Sequence, residues 1–462
     1  MMKLKTLLFT LVVLLASVPV HGRVYDVGPD LAYASIGDVP WESLAAGDSV
    51  RIHWREESYH EKWVICAEGT ADQPIVITGI PGPSGQLPVI DGRNATTRDT
   101  LNYWNEPRGI VKIGGANVPA DTMPRHITVE NLRIRSGRTP YTYTGREGEG
   151  YYANDAAAIF LEKGEHITIR NCVLEDCGSG FFCASKSTDV LVEQCAIRDN
   201  GIEGRIYEHN SYTEAKGIVF QYNHYGPLRK GARGNNLKDR SSGCVIRYNW
   251  IEDGNRQLDL VDSGHAEQLD DPAYLKTYVY GNILVEGLDE RNSQIVHYGG
   301  DSRNLRRYRK GMLYFYNNTV ISTRTDRTTL FRLSSLDKSA DVRNNVFYVT
   351  QPGDHLAISN RAGSMRLIRN WLNTGWTSSH GHLIGGVSNE VNLTGSEPGF
   401  MDLDGGDLRL TPGSACIDAR SDHALNAEHH PVRLEYTRHR THTERRQDDR
   451  IDIGAYEAEP QL

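Results

Sequence analysis

Past its first two dozen residues the sequence has no apolar run near the roughly 18 residues that a membrane-crossing helix needs, so no transmembrane helix is expected in the body of the 462-residue chain. A dominant charge is also missing. The 51 Lys and Arg against 59 Asp and Glu leave a net charge of -8, too mild to draw nucleic acid or an anionic membrane by bulk attraction. The seven cysteines match no zinc spacing, and an odd number leaves at least one thiol unpaired unless the chain dimerises covalently. Cys177 and Cys183 are near enough in sequence to close a short loop in an oxidising compartment. The other reading is that most cysteines are small buried apolar residues. No linker-like stretch divides the chain, and the L-x-x-L-x-L pattern of leucine-rich repeats does not occur.

What is present begins with an export signal. Lys3 and Lys5 precede an almost wholly apolar stretch from Leu7 to Ala16, and Val20-His21-Gly22 ends in a small residue. That order of charge, apolar core and small residue reads as a signal peptide over residues 1–22. A secreted or periplasmic protein starting near Arg23 is expected.

The body is repetitive. "HITVENLRIRSG", "HITIRNCVLEDCG", "DVLVEQCAIRDNG", "CVIRYNWIEDG" and "TYVYGNILVEG" each show a short alternating run, an Asn or Gln, and a second alternating run. The anchors are Asn131, Asn171, Gln194, Asn223, Asn249, Asn282, Asn318, Asn345 and Asn370, with intervals between 23 (171 to 194) and 40 (131 to 171) residues. Period-two alternation in runs this short argues for strands, and asparagine tolerates the left-handed backbone of a bend. The expectation is an all-β fold, a single-stranded right-handed parallel β-helix in which the asparagines stack as an internal ladder. Residues 23 to about 60 are read as an N-terminal cap and about 60–420 as coils with loop insertions. Residues 421–462 are read as a C-terminal loop and closing strand, with His423 to Arg450 a strandless surface excursion. Cys172 and Cys195 each follow an anchor and should stack, yet parallel strand side chains do not turn toward one another, so reduced thiols are expected.

The repeat, the opening "EGTADQPIVITG" and the closing "DIGAYE" resemble secreted right-handed parallel β-helix proteins, a group dominated by polysaccharide lyases. Within that group "LKDRSSGCVIRYNWIED" is similar to the lysine-bearing coil of the alginate lyase and chondroitinase B family. The resemblance implies that Lys238 is the base of a β-elimination. The family's acidic calcium ligands would fall at Gly231 and Arg233, and its second-coil arginine near Asp259. Only Lys238 therefore carries over, and no cofactor is expected; calcium has no support.

Placing Leu237 and Leu260 both inward turns Lys238 and Arg240 outward on one face, with Asn236 and Asp259 at matched places beside them. A lysine serves as a base only if its pKa falls, and Arg240 is the neighbouring cation expected to lower it. Arg233, Arg247 and Arg256 are expected to grip substrate carboxylates, with Asp259 and Tyr298 also in the binding set. His209, in "YEHNSY", and His297, in "QIVHYGG", are the other candidate bases. Asp239, Asp262 and Glu208 are candidate metal ligands, although aspartates at such bends commonly accept backbone N–H bonds. "RNLRRYRK" (303–310) supplies five cations suited to steering an anionic polymer. Loops 226–233 and 263–276 are expected to wall the groove.

Three functions fit these residues. A lyase cleaving a uronic acid polymer would use Lys238. A glycoside hydrolase would use paired carboxylates among Asp259, Asp262, Asp270 and Asp271, but the Gly-His-Gly and Arg-x-Lys motifs of pectin hydrolases are absent and "SGHA" substitutes poorly. A non-catalytic glycan-binding β-helix would need no clustered cations. The lyase is the expected function, with a monomer acting on an acidic polysaccharide and neither nucleic acid nor membrane as partner.

Overall fold

The computed structural model describes residues 22–288, 292–422, 427–447 and 450–458. The stretch read as an export signal, residues 1–22, lies outside them apart from Gly22. Among the described residues no helix is long and apolar enough to cross a membrane.

Strand follows strand in parallel register, one coil apart. Ile75–Ile80 pairs with Arg125–Glu130, which pairs with Ala157–Arg170 and then Ser179–Glu193. The same column continues through Lys216–Gln221, Ser242–Arg247, Lys276–Tyr280, Gly311–Tyr316 and Lys338–Arg343 to Gly386–Glu390. A second face holds 11 short strands, from Val89–Asp91 to Leu393–Gly395. A third face carries Leu237–Asp239 and its neighbours. The long strands Ala157–Arg170 and Ser179–Glu193 run through the corner between the first and third faces and join them into one 24-stranded sheet. The chain is a parallel β-helix. Its interior is filled by alternate side chains such as Ile127 and Val129, both fully buried.

The internal ladder follows from the bends. A left-handed residue, such as Tyr222 (φ 57°), Tyr248 (φ 53°) or Asn344 (φ 58°), breaks the first strand and turns the next side chain inward. There Asn223, Asn249, Asn282, Asn318, Asn345, Asn370 and Asn392 form a chain in which each Nδ2 donates to the next Oδ1. The first three anchors read from the sequence are one position early. Asn131, Asn171 and Gln194 occupy the left-handed positions themselves, and the inward rungs there are Leu132, Cys172 and Cys195. Asparagine suits either place, and a sequence does not distinguish them.

All seven cysteines are buried and unpaired, so neither Cys177–Cys183 nor Cys172–Cys195 is bridged. Cys172 and Cys195 each direct Sγ toward a carbonyl oxygen of their own coil, Arg170 O and Glu193 O, both at 3.3 Å.

The ends differ from the sequence reading. Val24–Val27 and Ser49–His53 are already in parallel register with Ile75–Ile80, so the ladder begins well before residue 60. Buried Ile36, Val39, Trp41 and Leu44 lie between those first two strands. At the other end, the stretch read as strandless contains the antiparallel pair Leu434–Thr437 and Thr441–Glu444. It folds back over a column of tyrosines on the outer surface, Tyr222, Tyr248, Tyr280 and Tyr316, whose rings lie 5.9, 5.4 and 5.0 Å apart in turn. Tyr248 Oη donates to Pro431 O and accepts from Arg433 N, and Tyr316 Oη donates to His430 O. Residues 114 to 185 positions apart in sequence are thereby joined.

Two outcomes are expected. Asn249→Leu removes the acceptor of Asn223 N and Nδ2 and should lower stability by about 3 kcal/mol, since each stranded buried donor costs roughly 1–3 kcal/mol; a urea titration measures it. Thiol titration should find seven reactive thiols in denaturant and almost none in native protein, and a Cys172–Cys195 crosslink in native protein by mass spectrometry would contradict the assignment.

Candidate active site

Parallel register decides which side chains meet. On the third face Phe160, Phe182, Tyr212, Lys238, Asp259, His297, Arg332 and Asn360 occupy one row on successive coils. Coils repeat at about 4.8 Å, so residues up to 200 positions apart (160 to 360) form one strip. The register differs by two residues from the sequence reading: Leu237 opposes Leu258, and Lys238 directly opposes Asp259. Asn236 is not on this face. It is buried at the bend, where it accepts from Asn210 Nδ2 and donates to Glu252 O.

The strip floors a cleft of about 1150 Å³. One wall carries Arg205 to His209, Arg233 and Asn255-Arg256; the other carries Gly300, Asp301, Arg303 and Tyr308. Loop 226–233 therefore contributes through Arg233. Segment 263–276 lines no part of the cleft and instead forms short helical turns, Gln268 donating to Ser185 O. Eight arginines and Lys238 face four carboxylates, Asp155, Glu208, Asp259 and Asp301. Nε of Arg108, Arg256 and Arg332 is buried with no acceptor from the described residues.

Asp259 is the hub. Its Oδ2 accepts from Lys238 Nζ at 2.7 Å and Asn235 Nδ2 at 2.8 Å, while Oδ1 lies 2.7 Å from His297 Nδ1. Burial opposes ionisation there, but Lys238 and then His297 outweigh it and hold the carboxyl well below its ordinary range. Lys238 also donates to Asp301 Oδ2 at 2.5 Å. Burial would lower the Lys238 pKa; Asp259 and Asp301 together overcome both burial and Arg240, and the net shift is upward. Arg240 does act downward as expected, but it is outweighed, and the expected net lowering of the Lys238 pKa is corrected to a rise. Arg240 is drawn off by Asp301, at 2.9 Å, and by Tyr212, whose Oη accepts from Arg240 Nε at 2.9 Å.

Both histidines are tautomerically defined. His209 Nδ1 accepts from Asn235 N at 2.8 Å, so its proton is on Nε2. Burial, then Lys238, push its pKa down to about 3. His297 donates Nδ1–H to Asp259 and places the Nε2 lone pair 2.7 Å from Ser334 Oγ. The Ser334 hydroxyl has a second acceptor in Gly300 O at 3.3 Å, so the imidazole nitrogen can be released. Burial lowers the His297 pKa despite Asp259, leaving a neutral ring near neutral pH.

Several expected residues are elsewhere. Arg247 lies on the first face, bonded to Gln221 and Tyr280. Tyr298 is fully buried, its hydroxyl donating to Lys310 O, because two residues along a strand restore the same face and Val296 points inward. Asp239 is likewise interior and is neutralised by Arg309 at 2.9 Å; of the five cations of 303–310 only Arg303 lines the cleft. Asp262 Oδ1 accepts from Asp301 N and Ser302 N and so anchors the loop. Asp271 caps Ala273 N and accepts from Ser242 Oγ. Glu208 lines the cleft, one oxygen accepting from Arg205. Gly231 has no side chain to offer and Arg233 is a cation, so the residues present do not fit the calcium ion that the family resemblance would imply. Asp301, Ser334, Tyr212 and Arg332 were missed. Tyr212 and Arg332 follow from correct register; Asp301 sits in a loop that leaves no periodic signal.

Residues 122–270 match the family model described as "Right handed beta helix region". Among solved structures, pectate lyase Pel9A aligns with 95% of this chain and 97% of its own at 10% identity and TM-score 0.52. The fold is a right-handed β-helix. An alginate lyase from Paenibacillus sp. str. FPU-7 aligns over 69% of this chain and 91% of its own (12% identity, TM-score 0.43). A GH136 lacto-N-biosidase from Eubacterium ramulus aligns over 81% and 68% (14%, 0.40). No curated protein matches by sequence.

The ionised hub gives stability an acid limit. A carboxyl held below its unfolded value stabilises the fold above that value, about 3.9, and loses the contribution as pH falls through its folded pKa. Melting temperature should therefore drop below about pH 4, and Asp259→Ala should cost about 3 kcal/mol at pH 7, because Lys238 keeps only Asp301 while Asn235 Nδ2 and His297 Nδ1 lose their acceptor. Thermal melts from acid to neutral pH check both.

Proposed function

We propose that the protein is an enzyme of the β-helix type that cleaves an acidic, uronate-containing polysaccharide by β-elimination. The observation that carries this reading is the cationic surplus of the cleft, with the buried Nε donors of Arg108, Arg256 and Arg332 left without an acceptor among the described residues. Such donors are satisfied by carboxylates, which arginine grips in a planar fork. With Gly231 and Arg233 at the positions of the family's acidic metal ligands, the arginines at positions 233 and 256 neutralise the sugar carboxylate and so acidify the adjacent C–H.

His297 is the proposed base. Its Nε2 takes the proton at C5, the C–H electrons form the C4–C5 double bond, and the C4–O bond breaks. Asp259 fixes the imidazole and stabilises the imidazolium. Lys238 supplies the proton to the leaving oxygen: an ammonium with a raised pKa is a poor base, yet it readily protonates an alkoxide. Lys238 thus keeps a place in the mechanism with the opposite role. Paired-carboxylate hydrolysis is less well supported, because it needs one carboxylic acid with a raised pKa and both Asp259 and Asp301 are lowered.

The protein is to be incubated with alginate, pectate, chondroitin and hyaluronan, following ultraviolet absorbance of the unsaturated product. Absorbance growth supports the lyase; new reducing ends without it would indicate hydrolysis. His297→Ala should lower kcat about 10²–10⁴-fold, as expected for loss of a general base, and near-normal turnover in it would remove His297 from the mechanism. Because the neutral ring is the active form and its pKa is lowered, kcat/KM should persist below about pH 6.5 and fall only when the ring protonates.

A further inference from the structure

A second cluster of chemically able side chains lies on the eleven-stranded face, at the turn of the C-terminal hairpin. His224 and Glu252 stand on adjacent coils in strands His224–Tyr225 and Trp250–Glu252, paired His224 to Trp250. His439 reaches them from the turn between Leu434–Thr437 and Thr441–Glu444. One ligand atom from each lies within 4.8 Å of the other two. None of the three lines the cleft.

His224 Nε2 is buried and has no hydrogen-bond partner among the described residues, and it stands 3.4 Å from Glu252 Oε1. The tautomer of His439 is set by its neighbours. Arg438 Nε donates to His439 Nε2 at 3.0 Å, so Nε2 bears the lone pair and Nδ1–H donates to Tyr436 Oη at 2.9 Å. That hydroxyl is itself held by Arg440 N at 3.0 Å. A histidine whose far nitrogen is fixed by a hydrogen bond is oriented as metal-binding histidines are.

We propose that His224, Glu252 and His439 form a site for a divalent transition-metal ion of the zinc type, which fastens the C-terminal hairpin to the coils. Two imidazoles and one carboxylate suit zinc and its borderline neighbours rather than calcium or magnesium, which prefer oxygen. Donors about 2.0–2.1 Å from a tetrahedral ion stand roughly 3.4 Å apart, the span His224 and Glu252 already have. The rings of His224 and His439 stack at 4.0 Å and 7°, so binding turns one ring about its Cβ–Cγ bond until both lone pairs converge. Arg438 Nε must give up His439 Nε2 in the same step.

The full-length protein, stripped with chelator and dialysed, is to be titrated with zinc chloride by calorimetry, with metal content counted after gel filtration. One zinc per chain is expected, with a rise in melting temperature and slower proteolysis in the 434–444 hairpin. His439→Ala and Glu252→Gln should each weaken binding at least tenfold, whereas His297→Ala should leave it unchanged. Arg438→Gln should tighten it, since a competing donor is removed. Absence of zinc binding in the wild type would overturn the assignment, as would zinc binding that survives both His439→Ala and Glu252→Gln or is lost in His297→Ala. Because none of these readouts depends on turnover, they stand apart from any outcome for the cleft.

Discussion

Residues that share a row on a parallel β-helix stand about 4.8 Å from their neighbours above and below, and every feature of this molecule answers to that spacing. Inside, it requires donors and acceptors that repeat without end, and the carboxamide of asparagine meets the requirement because each side chain both gives and receives. Outside, it forbids runs of like charge. The cleft row obeys by alternating character: Tyr212, the cation Lys238, the anion Asp259, the neutral His297 and the cation Arg332. Asp259 ionises despite burial because its row neighbours on both sides favour the charged form.

The same spacing explains how chemistry arises from a repetitive scaffold. No two of Tyr212, Lys238, Asp259 and His297 are near in sequence, yet each comes from the middle of a short strand whose flanking residues point into the core. Backbone pairing fixes their separation, and hydrogen bonds fix their rotation, as when Asn235 binds Asp259 from one wall. Loops add what the row lacks. Asp301 enters from the turn anchored by Asp262 and brings Lys238 and Arg240 together around one carboxylate.

Fold was legible in the sequence because the alternating runs and their Asn bends repeat many times, and one misread rung does not displace the rest. Register was less so. Leu237-Lys238-Asp239 and Leu260-Val261-Asp262 look alike, but the coil between them is short, and pairing Leu237 with Leu258 satisfies the backbone instead. That shift of two keeps the same face, so Lys238 stayed outward as read while its partner changed to Asp259. Tyr298 and Asp239 failed for a related reason: adjacent polar positions on a strand point to opposite sides, and only one of each pair reaches the cleft. Arg247 failed because arginines on all three faces look the same in a linear string. Asp301 and Ser334 were invisible, since one comes from an aperiodic loop and the other from the edge of a strand.

The fold-back of the C-terminal segment changes how the stack behaves as a whole. A solenoid is nearly one-dimensional: each coil feels its immediate neighbours, and order is lost from the ends inward. Here the segment after residue 427 bonds to Tyr248 and Tyr316, and Arg440 donates to Asn171 Oδ1 far down the stack. Such ties skip the coils between, so the last turns cannot fray without releasing contacts in the middle. The molecule is a chain of dominoes with its final piece leaned back against the earlier ones, and opening at one end is felt along its length.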